Sequence, residues 1–115
     1  MNFTVVIYDA PYNKERALSA LRFAFTADLE GHKIHIWLSE NGVYLAKKNQ
    51  NPPQGLTNYE QLLTDLIKSG TEVKACIVCT KARGLTPSEL LDGVKLATIH
   101  DLVEWTVNSD KTITF

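Results

Sequence analysis

The chain alternates short apolar runs with segments whose apolar residues recur at helical spacing. The runs are contiguous and rich in β-branched residues, which is typical of strands buried on both faces. They cover residues 3–8, 34–38, 72–78, 94–97 and 112–115. Strands that alternate with helices need right-handed crossover connections. The sequence therefore predicts an α/β fold with three α/β/α layers and a mostly parallel five-stranded sheet.

The predicted helices have clear ends. Between the first two strands, Leu18, Leu21 and Leu29 share one helical face, and Gly31 follows where a left-handed residue ends a helix. Three later helix starts place a threonine three residues before an acid, the spacing of a capping box. These pairs are Thr57 with Glu60, Thr86 with Glu89, and Thr98 with Asp101. Residues 43–48 predict a short helix, and the proline-containing residues 49–55 predict an exposed loop.

Length and charge exclude several classes of function. A chain of 115 residues is expected to form one domain, residues 1–115. Its 12 Lys and Arg residues nearly balance 13 Asp and Glu, so we expect no nucleic-acid partner. No window approaches the roughly 18 apolar residues of a membrane helix, and no signal peptide is visible. We therefore expect a cytoplasmic protein that does not contact a membrane.

Both cysteines of the chain, Cys76 and Cys79, lie two residues apart at the end of the predicted third strand. A strand-to-helix junction suits thiol chemistry, because a helix N-terminus can favour the thiolate by up to about 2 kcal/mol. Lys81 and Arg83 follow directly and add positive charge that would help to hold a thiolate or persulfide anion. These four residues form the first candidate site.

Thiols placed in this way have several interpretations. A reversible disulfide would make the protein a dithiol redox protein, and inert cysteines would leave an oligomeric binding protein. A structural zinc site needs four ligands, and His32, His35 and His100 are scattered. No glycine-rich phosphate loop follows the first strand. We predict no metal site and no cofactor.

Tyr12 and Asn13 are further candidates because they follow the first predicted strand. Ligands of open parallel sheets gather at the carboxyl ends of strands. If the first and third strands are neighbours, as in flavodoxin-like orders, these two residues would face the thiols. They could then line the site or hydrogen-bond there.

The segment from Cys76 to Gly84 resembles the DsrE/DsrF-like family, most closely its small YchN-like branch. Further segments share the resemblance, which spans essentially the whole chain. They are residues 9–12, 90–94, 101–105 and 110–115, the helix that ends at Gly31, and the proline loop before Tyr59.

The resemblance implies a parallel five-stranded α/β/α domain that assembles as a trimer or hexamer. It also implies a sulfur-relay activity, in which one cysteine carries a persulfide between donor and acceptor proteins. In relay members that cysteine lies eight residues before the glycine of an Arg-Gly pair, and Cys76 stands in this position relative to Gly84. The leading hypothesis is a sulfurtransferase-like carrier with Cys76 as nucleophile, Cys79 as resolving or tuning thiol, and Arg83 as charge stabiliser.

Overall fold

A five-stranded parallel sheet forms the centre of the structure, a computed structural model that describes residues 1–115. Its strands are β1 (Asn2–Ile7), β2 (Lys33–Leu38), β3 (Glu72–Cys76), β4 (Val94–Ala97) and β5 (Lys111–Thr114). They lie in the order β4-β3-β2-β1-β5, and every neighbouring pair is parallel. The predicted sheet is confirmed, with β2 between β1 and β3.

Helices cover the two faces of this sheet unequally. Helices α1 (Arg16–Leu29), α2 (Tyr59–Lys68) and α3 (Ile77–Ala82) lie on one face, with a 3₁₀ helix at Glu40–Ala46. Helix α4 (Ile99–Asn108) covers the other face alone. A second, three-residue 3₁₀ helix spans Pro87–Glu89. No helix combines the length and the apolar character needed to cross a bilayer.

The main core lies under α1, α2 and the first 3₁₀ helix. Alternate residues of β1 and β2, such as Val5 and Ile36, point to this side and pack against Leu21 and Leu63. All four side chains are fully buried. Because burial of one such side chain contributes about 1.5–3 kcal/mol, this layer supplies most of the apolar stabilisation of the fold.

The opposite face carries a smaller aromatic cluster. Trp105 of α4 meets Trp37 edge to face and stacks on His35, with 4.5 Å between the His35 and Trp105 ring centroids. Lys74 lies 4.6 Å above the Trp105 ring and pairs with Asp101 at 3.5 Å. Three apolar residues of α4 face away from the sheet and are at least half exposed. They are Ile99, Val103 and Val107.

The prediction for the third strand is wrong at its C-terminal end. Residues 72–78 were expected to be extended because Ile77 and Val78 are β-branched, but β3 ends at Cys76 and Ile77 begins α3. Cys76 is the N-cap of α3, and its thiol accepts the N–H of Cys79 at 3.5 Å. This local hydrogen bond offsets the strand preference of the two residues between the thiols.

The capping predictions have mixed outcomes. Thr98 with Asp101 is confirmed, since the Asp101 carboxylate accepts the Thr98 N–H at 2.9 Å. Helix α2 instead begins after Asn58, whose side chain accepts the Gln61 N–H at 3.1 Å. The Glu60 carboxylate accepts the N–H of Gln50. Prediction of a cap at Thr57 was therefore wrong by one residue.

The third pair, Thr86 and Glu89, forms its box but caps only the short 3₁₀ helix. The chain leaves the helical path because Leu90 bridges to Lys47 and the Leu91 N–H bonds to the Ala46 carbonyl at 2.8 Å. The short helix predicted at residues 43–48 is a 3₁₀ helix that begins earlier, at Glu40.

Candidate functional site

The segment that follows β2, and not the one that follows β1, adjoins the two cysteines. Leu38 pairs with Ala75 in the sheet, so Ser39 lies at the same level as Cys76. Glu40 then starts the first 3₁₀ helix, which packs against both β3 and α3. The carboxyl ends of β2 and β3 thus form one site.

Cys76 lies at the aromatic side of the sheet. Its half-buried side chain packs against the cluster that contains Val6, Trp37 and Trp105. Burial and the neighbouring Cys79 thiolate raise the pKa of the Cys76 thiol, and together they outweigh the N–H groups that point at its sulfur. Cys76 therefore holds its proton more tightly than an ordinary cysteine does.

Cys79 lies at the other side, against the main core. Burial alone would raise the pKa of its thiol. The opposing contacts are the Cys76 thiol, the Glu40 N–H, the Ser39 hydroxyl and the Arg83 charge, and they lower this pKa below its ordinary value. The Ser39 Oγ lies 4.0 Å from the Cys79 Sγ. Cys79 is thus the more acidic thiol of the pair.

Glu40 contributes its backbone rather than its carboxylate. Its φ of 50° lies in the left-handed region, which is uncommon for a residue with a side chain. Two backbone hydrogen bonds fix this turn. The Ser39 N–H donates to the Ile7 carbonyl at 3.0 Å, and the Gly42 N–H donates to the Ser39 carbonyl at 2.8 Å. A Cβ atom on Gly42 would overlap the Ile7 carbonyl oxygen. The unusual conformation is therefore held by close backbone packing.

Arg83 joins the two segments of the site. Its Nε donates to the Asn41 Oδ1 at 2.9 Å, and its Nη1 donates to the Cys79 carbonyl at 3.1 Å. These bonds hold the guanidinium beside Cys79, and the role of Arg83 as a charge stabiliser stays a prediction. Lys81 is exposed and its side chain forms no hydrogen bond or ion pair.

Tyr12 and Asn13 are not brought to the thiols, because β2 separates β1 from β3. The Tyr12 hydroxyl donates to the Thr57 carbonyl at 2.6 Å, and the Asn13 amide donates to Asp9 at 2.8 Å. Tyr12 instead lines an open cleft of about 380 Å³, together with Tyr44 of the first 3₁₀ helix and residues 50–52 of the proline-containing loop. The condition on which their assignment depended, adjacent first and third strands, is not met.

Sequence reasoning missed Ser39, Glu40 and Asn41. The available signal was the polar run that follows the second strand directly, since parallel strands end at one edge of the sheet. This polar run adjoins the thiols only because β2 lies beside β3 in the sheet. The structure contains no group of three or more His, Cys, Asp or Glu side chains arranged to hold a metal ion.

Comparisons with known proteins agree with this geometry. An uncharacterised protein of Methanocaldococcus jannaschii is 56% identical over 115 residues, all of both chains. Protein YchN of Escherichia coli is 32% identical over 113 residues, 96% of each chain. Its crystal structure superposes with a TM-score of 0.90 at 31% identity, over 100% of both chains.

A more distant relative carries a functional name. The sulfurtransferase TusD of Cronobacter sakazakii is 26% identical over 130 residues and is covered, like this chain, over 100% of its length. The model of the DsrE/DsrF-like family matches the chain over residues 1–115. Together with the YchN relationship, this whole-length match shows that the chain belongs to the DsrE/DsrF-like family.

Proposed function

We propose that this protein takes part in sulfur transfer and accepts sulfane sulfur as a persulfide on Cys76. The observation that supports this most is the asymmetric thiol pair at the carboxyl ends of β2 and β3, where the Cys76 Sγ accepts the Cys79 N–H and the Ser39 hydroxyl faces the Cys79 Sγ, so that the surroundings raise the pKa of Cys76 and lower that of Cys79. The distant relationship to a sulfurtransferase supports the class of reaction. The position of Cys76 before the Arg83-Gly84 pair supports the choice of cysteine.

The uptake step is a displacement at sulfur. Cys76 attacks the outer sulfur of a donor persulfide, R–S–SH, while its proton passes to the Cys79 thiolate. The donor S–S bond breaks, R–S⁻ leaves with the bonding electrons, and Cys76–S–SH forms. Thiol–disulfide chemistry follows the same course through thiolate attack on a sulfur atom. No cofactor takes part in this step.

A donor can reach the pair from solvent. Val78, between the two cysteines, is 71% exposed, and both thiols are only half-buried. An exposed apolar residue beside a reactive group suits contact with a macromolecular partner. We therefore propose that sulfur donor and acceptor proteins approach along the Val78 side of α3.

Intact-mass measurement tests the uptake step. Reduced Cys79→Ser and Cys76→Ser variants are exposed to sodium polysulfide, desalted and weighed. We expect the mass of one added sulfur atom on Cys79→Ser at a pH high enough for Cys76 to ionise without the Cys79 base, and Cys76→Ser measures how much sulfur the Cys79 thiol accepts by itself. Equal masses with and without polysulfide for Cys79→Ser would contradict the proposal.

A dithiol redox function is the second candidate, because the thiols lie one helical turn apart. It requires a reversible Cys76–Cys79 disulfide whose potential lies in a cytosolic working range. Titration against glutathione buffers measures that potential. A disulfide that never forms, together with polysulfide uptake on Cys76, would favour sulfur transfer.

A further inference from the structure

The surroundings of Cys79 exceed what a packed cysteine requires. A hydroxyl, a backbone N–H and a guanidinium reach it from the Ser39–Asn41 segment and from the end of α3. Two of these features are costly to form: Glu40 has a left-handed backbone, and Arg83 is held on two acceptors. Such groups stabilise negative charge on sulfur, which indicates that Cys79 has a reaction of its own.

We infer that the Cys79 thiolate discharges the persulfide on Cys76, releasing hydrogen sulfide and leaving a Cys76–Cys79 disulfide. This inference rests on the proposed uptake of sulfur by Cys76. It adds a further activity, persulfide reduction by an internal thiol, with a persulfide as substrate and sulfide as product.

The step balances without an additional reactant. The Cys79 sulfur attacks the inner sulfur of Cys76–S–SH, and a Cys76–Cys79 S–S bond forms. The bond between the two persulfide sulfurs breaks, and HS⁻ leaves with the bonding electrons. The outer sulfur is reduced to sulfide and the two cysteines are oxidised to the disulfide. A thiol reductant of the dithiol class would restore the pair for another cycle.

The geometry suits this order of events. Cys76 is the N-cap of α3, its Sγ accepts the Cys79 N–H at 3.5 Å, and the two thiols are within hydrogen-bonding reach of each other. The proton that Cys79 receives during uptake has to leave before discharge, and the groups around this thiol favour that loss because they hold its pKa below the ordinary value. The thiolate is the attacking species in thiol–disulfide exchange.

The main experiment follows sulfide and protein mass in one sample. Reduced wild-type protein and Cys79→Ser are exposed briefly to sodium polysulfide, desalted, and quenched with acid at intervals. For wild type we expect a transient sulfur adduct, then one sulfide per chain and a protein mass lower by two hydrogen atoms. Cys79→Ser is expected to keep the adduct and to release no sulfide.

The two proposals fail in different ways. A wild-type protein that keeps a stable sulfur adduct and releases no sulfide would overturn the discharge step and leave sulfur uptake standing. Absence of an adduct on Cys79→Ser would overturn uptake itself. Sulfide release by Cys79→Ser at the wild-type rate would show that Cys79 is not the attacking residue.

Ser39 provides a second test as a positioning residue. Loss of its hydroxyl removes one hydrogen bond from the thiolate, so Ser39→Ala should slow sulfide release about threefold at neutral pH. The midpoint of the release rate should move to higher pH, because the Cys79 thiol then loses its proton less readily. Ser88→Ala, at an exposed serine of the second 3₁₀ helix, is the matched control.

Above this midpoint the Ser39→Ala variant should equal wild type, a signature that a merely structural defect would not give. Besides Ser39, the groups that act on the Cys79 thiol are the titratable Cys76 thiol and the Arg83 charge. Glu40 faces Cys79 with its N–H, and Lys81 is exposed. Equal pH midpoints for Ser39→Ala and wild type would contradict the role of Ser39.

Discussion

The layers that cover the two faces of the sheet differ in thickness. The thick face is covered by α1, α2, α3 and the first 3₁₀ helix, and the thin face by α4 alone. One of the two thiols packs on each face. Cys79 packs against the main core, where the first 3₁₀ helix adds a layer of backbone and polar groups over the strand ends. Cys76 packs against the small aromatic cluster beneath α4. The sequence presents the cysteines as a symmetric pair, but the sheet places them in different surroundings.

This difference explains why the two pKa values move apart. The half-buried Cys76 thiol holds its proton more tightly because its N–H contacts do not offset burial and the neighbouring Cys79, whereas the Cys79 thiol, which faces a hydroxyl, an N–H and a guanidinium, loses its proton more readily. Neighbouring thiols can therefore take separate roles when they lie on opposite faces of one sheet. The following measurements test each part of this comparison.

The largest expected effect is on stability of the thick face. Leu63→Ala removes a fully buried side chain from the main core and should lower the free energy of unfolding by about 3 kcal/mol. Trp105→Phe on the thin face keeps an aromatic ring beside His35 and should cost about half as much. Urea denaturation compares the two, and a greater loss for Trp105→Phe would show that the thin face is the more tightly packed.

The next effect concerns the junction that carries Glu40. Gly42→Ala forces a Cβ against the Ile7 carbonyl oxygen and should lower the free energy of unfolding by about 2 kcal/mol. Because Ser39 and Glu40 would shift with it, the pKa of Cys79 should rise toward its ordinary value. Denaturation and thiol alkylation against pH measure both changes. An unchanged pKa of Cys79 would show that the first 3₁₀ helix does not control the acidity of this thiol.

Alkylation of the native pair tests the predicted separation itself. With limiting iodoacetamide at neutral pH, peptide mapping should find Cys79 modified faster than Cys76, since a lowered pKa gives a thiol the larger thiolate fraction. Cys79 should lose reactivity only when pH falls below its lowered pKa. Cys76 should gain reactivity only when pH rises above its raised pKa. Equal labelling at all pH values would contradict the assignment.

The smallest effect on stability is expected at the outer surface of α4. A trimer or hexamer stays a prediction, and the exposed Ile99, Val103 and Val107 are where it can be tested. Val103→Lys should change the free energy of unfolding of the monomer by less than about 0.5 kcal/mol, because this side chain faces solvent. Light scattering should find a lower molar mass than for wild type. A monomeric wild type would contradict the expectation.

Much of the fold could be predicted because local signals agree with tertiary packing. Gly31, with a φ of 89°, ends α1 as its position indicated, and β4 has the expected limits. The cap at Thr98 was likewise visible as a local pattern. A failure occurred where a distant contact decided: the helix expected after Thr86 is only a three-residue 3₁₀ helix, because the Leu91 N–H bonds to the Ala46 carbonyl.

The site was only half predictable for a similar reason. Cys76, Cys79 and Arg83 lie close together along the chain, so their proximity could be inferred from spacing. Ser39 contacts Cys79 and Asn41 binds Arg83, and both lie about forty residues away and reach the site only because β2 is the neighbour of β3. Strand order follows from how helices pack over the whole sheet, and the sequence contains no local signal for it.

The left-handed turn at Glu40 has a consequence for how this site tolerates mutation. The contact with Cys79 comes from a main-chain N–H, which every residue except proline carries. Selection at this position should therefore act on backbone conformation, and asparagine or glycine should serve as well as glutamate. Relatives can then vary in amino acid at this position while the chemistry at sulfur stays constant, and proline is the substitution that should be absent.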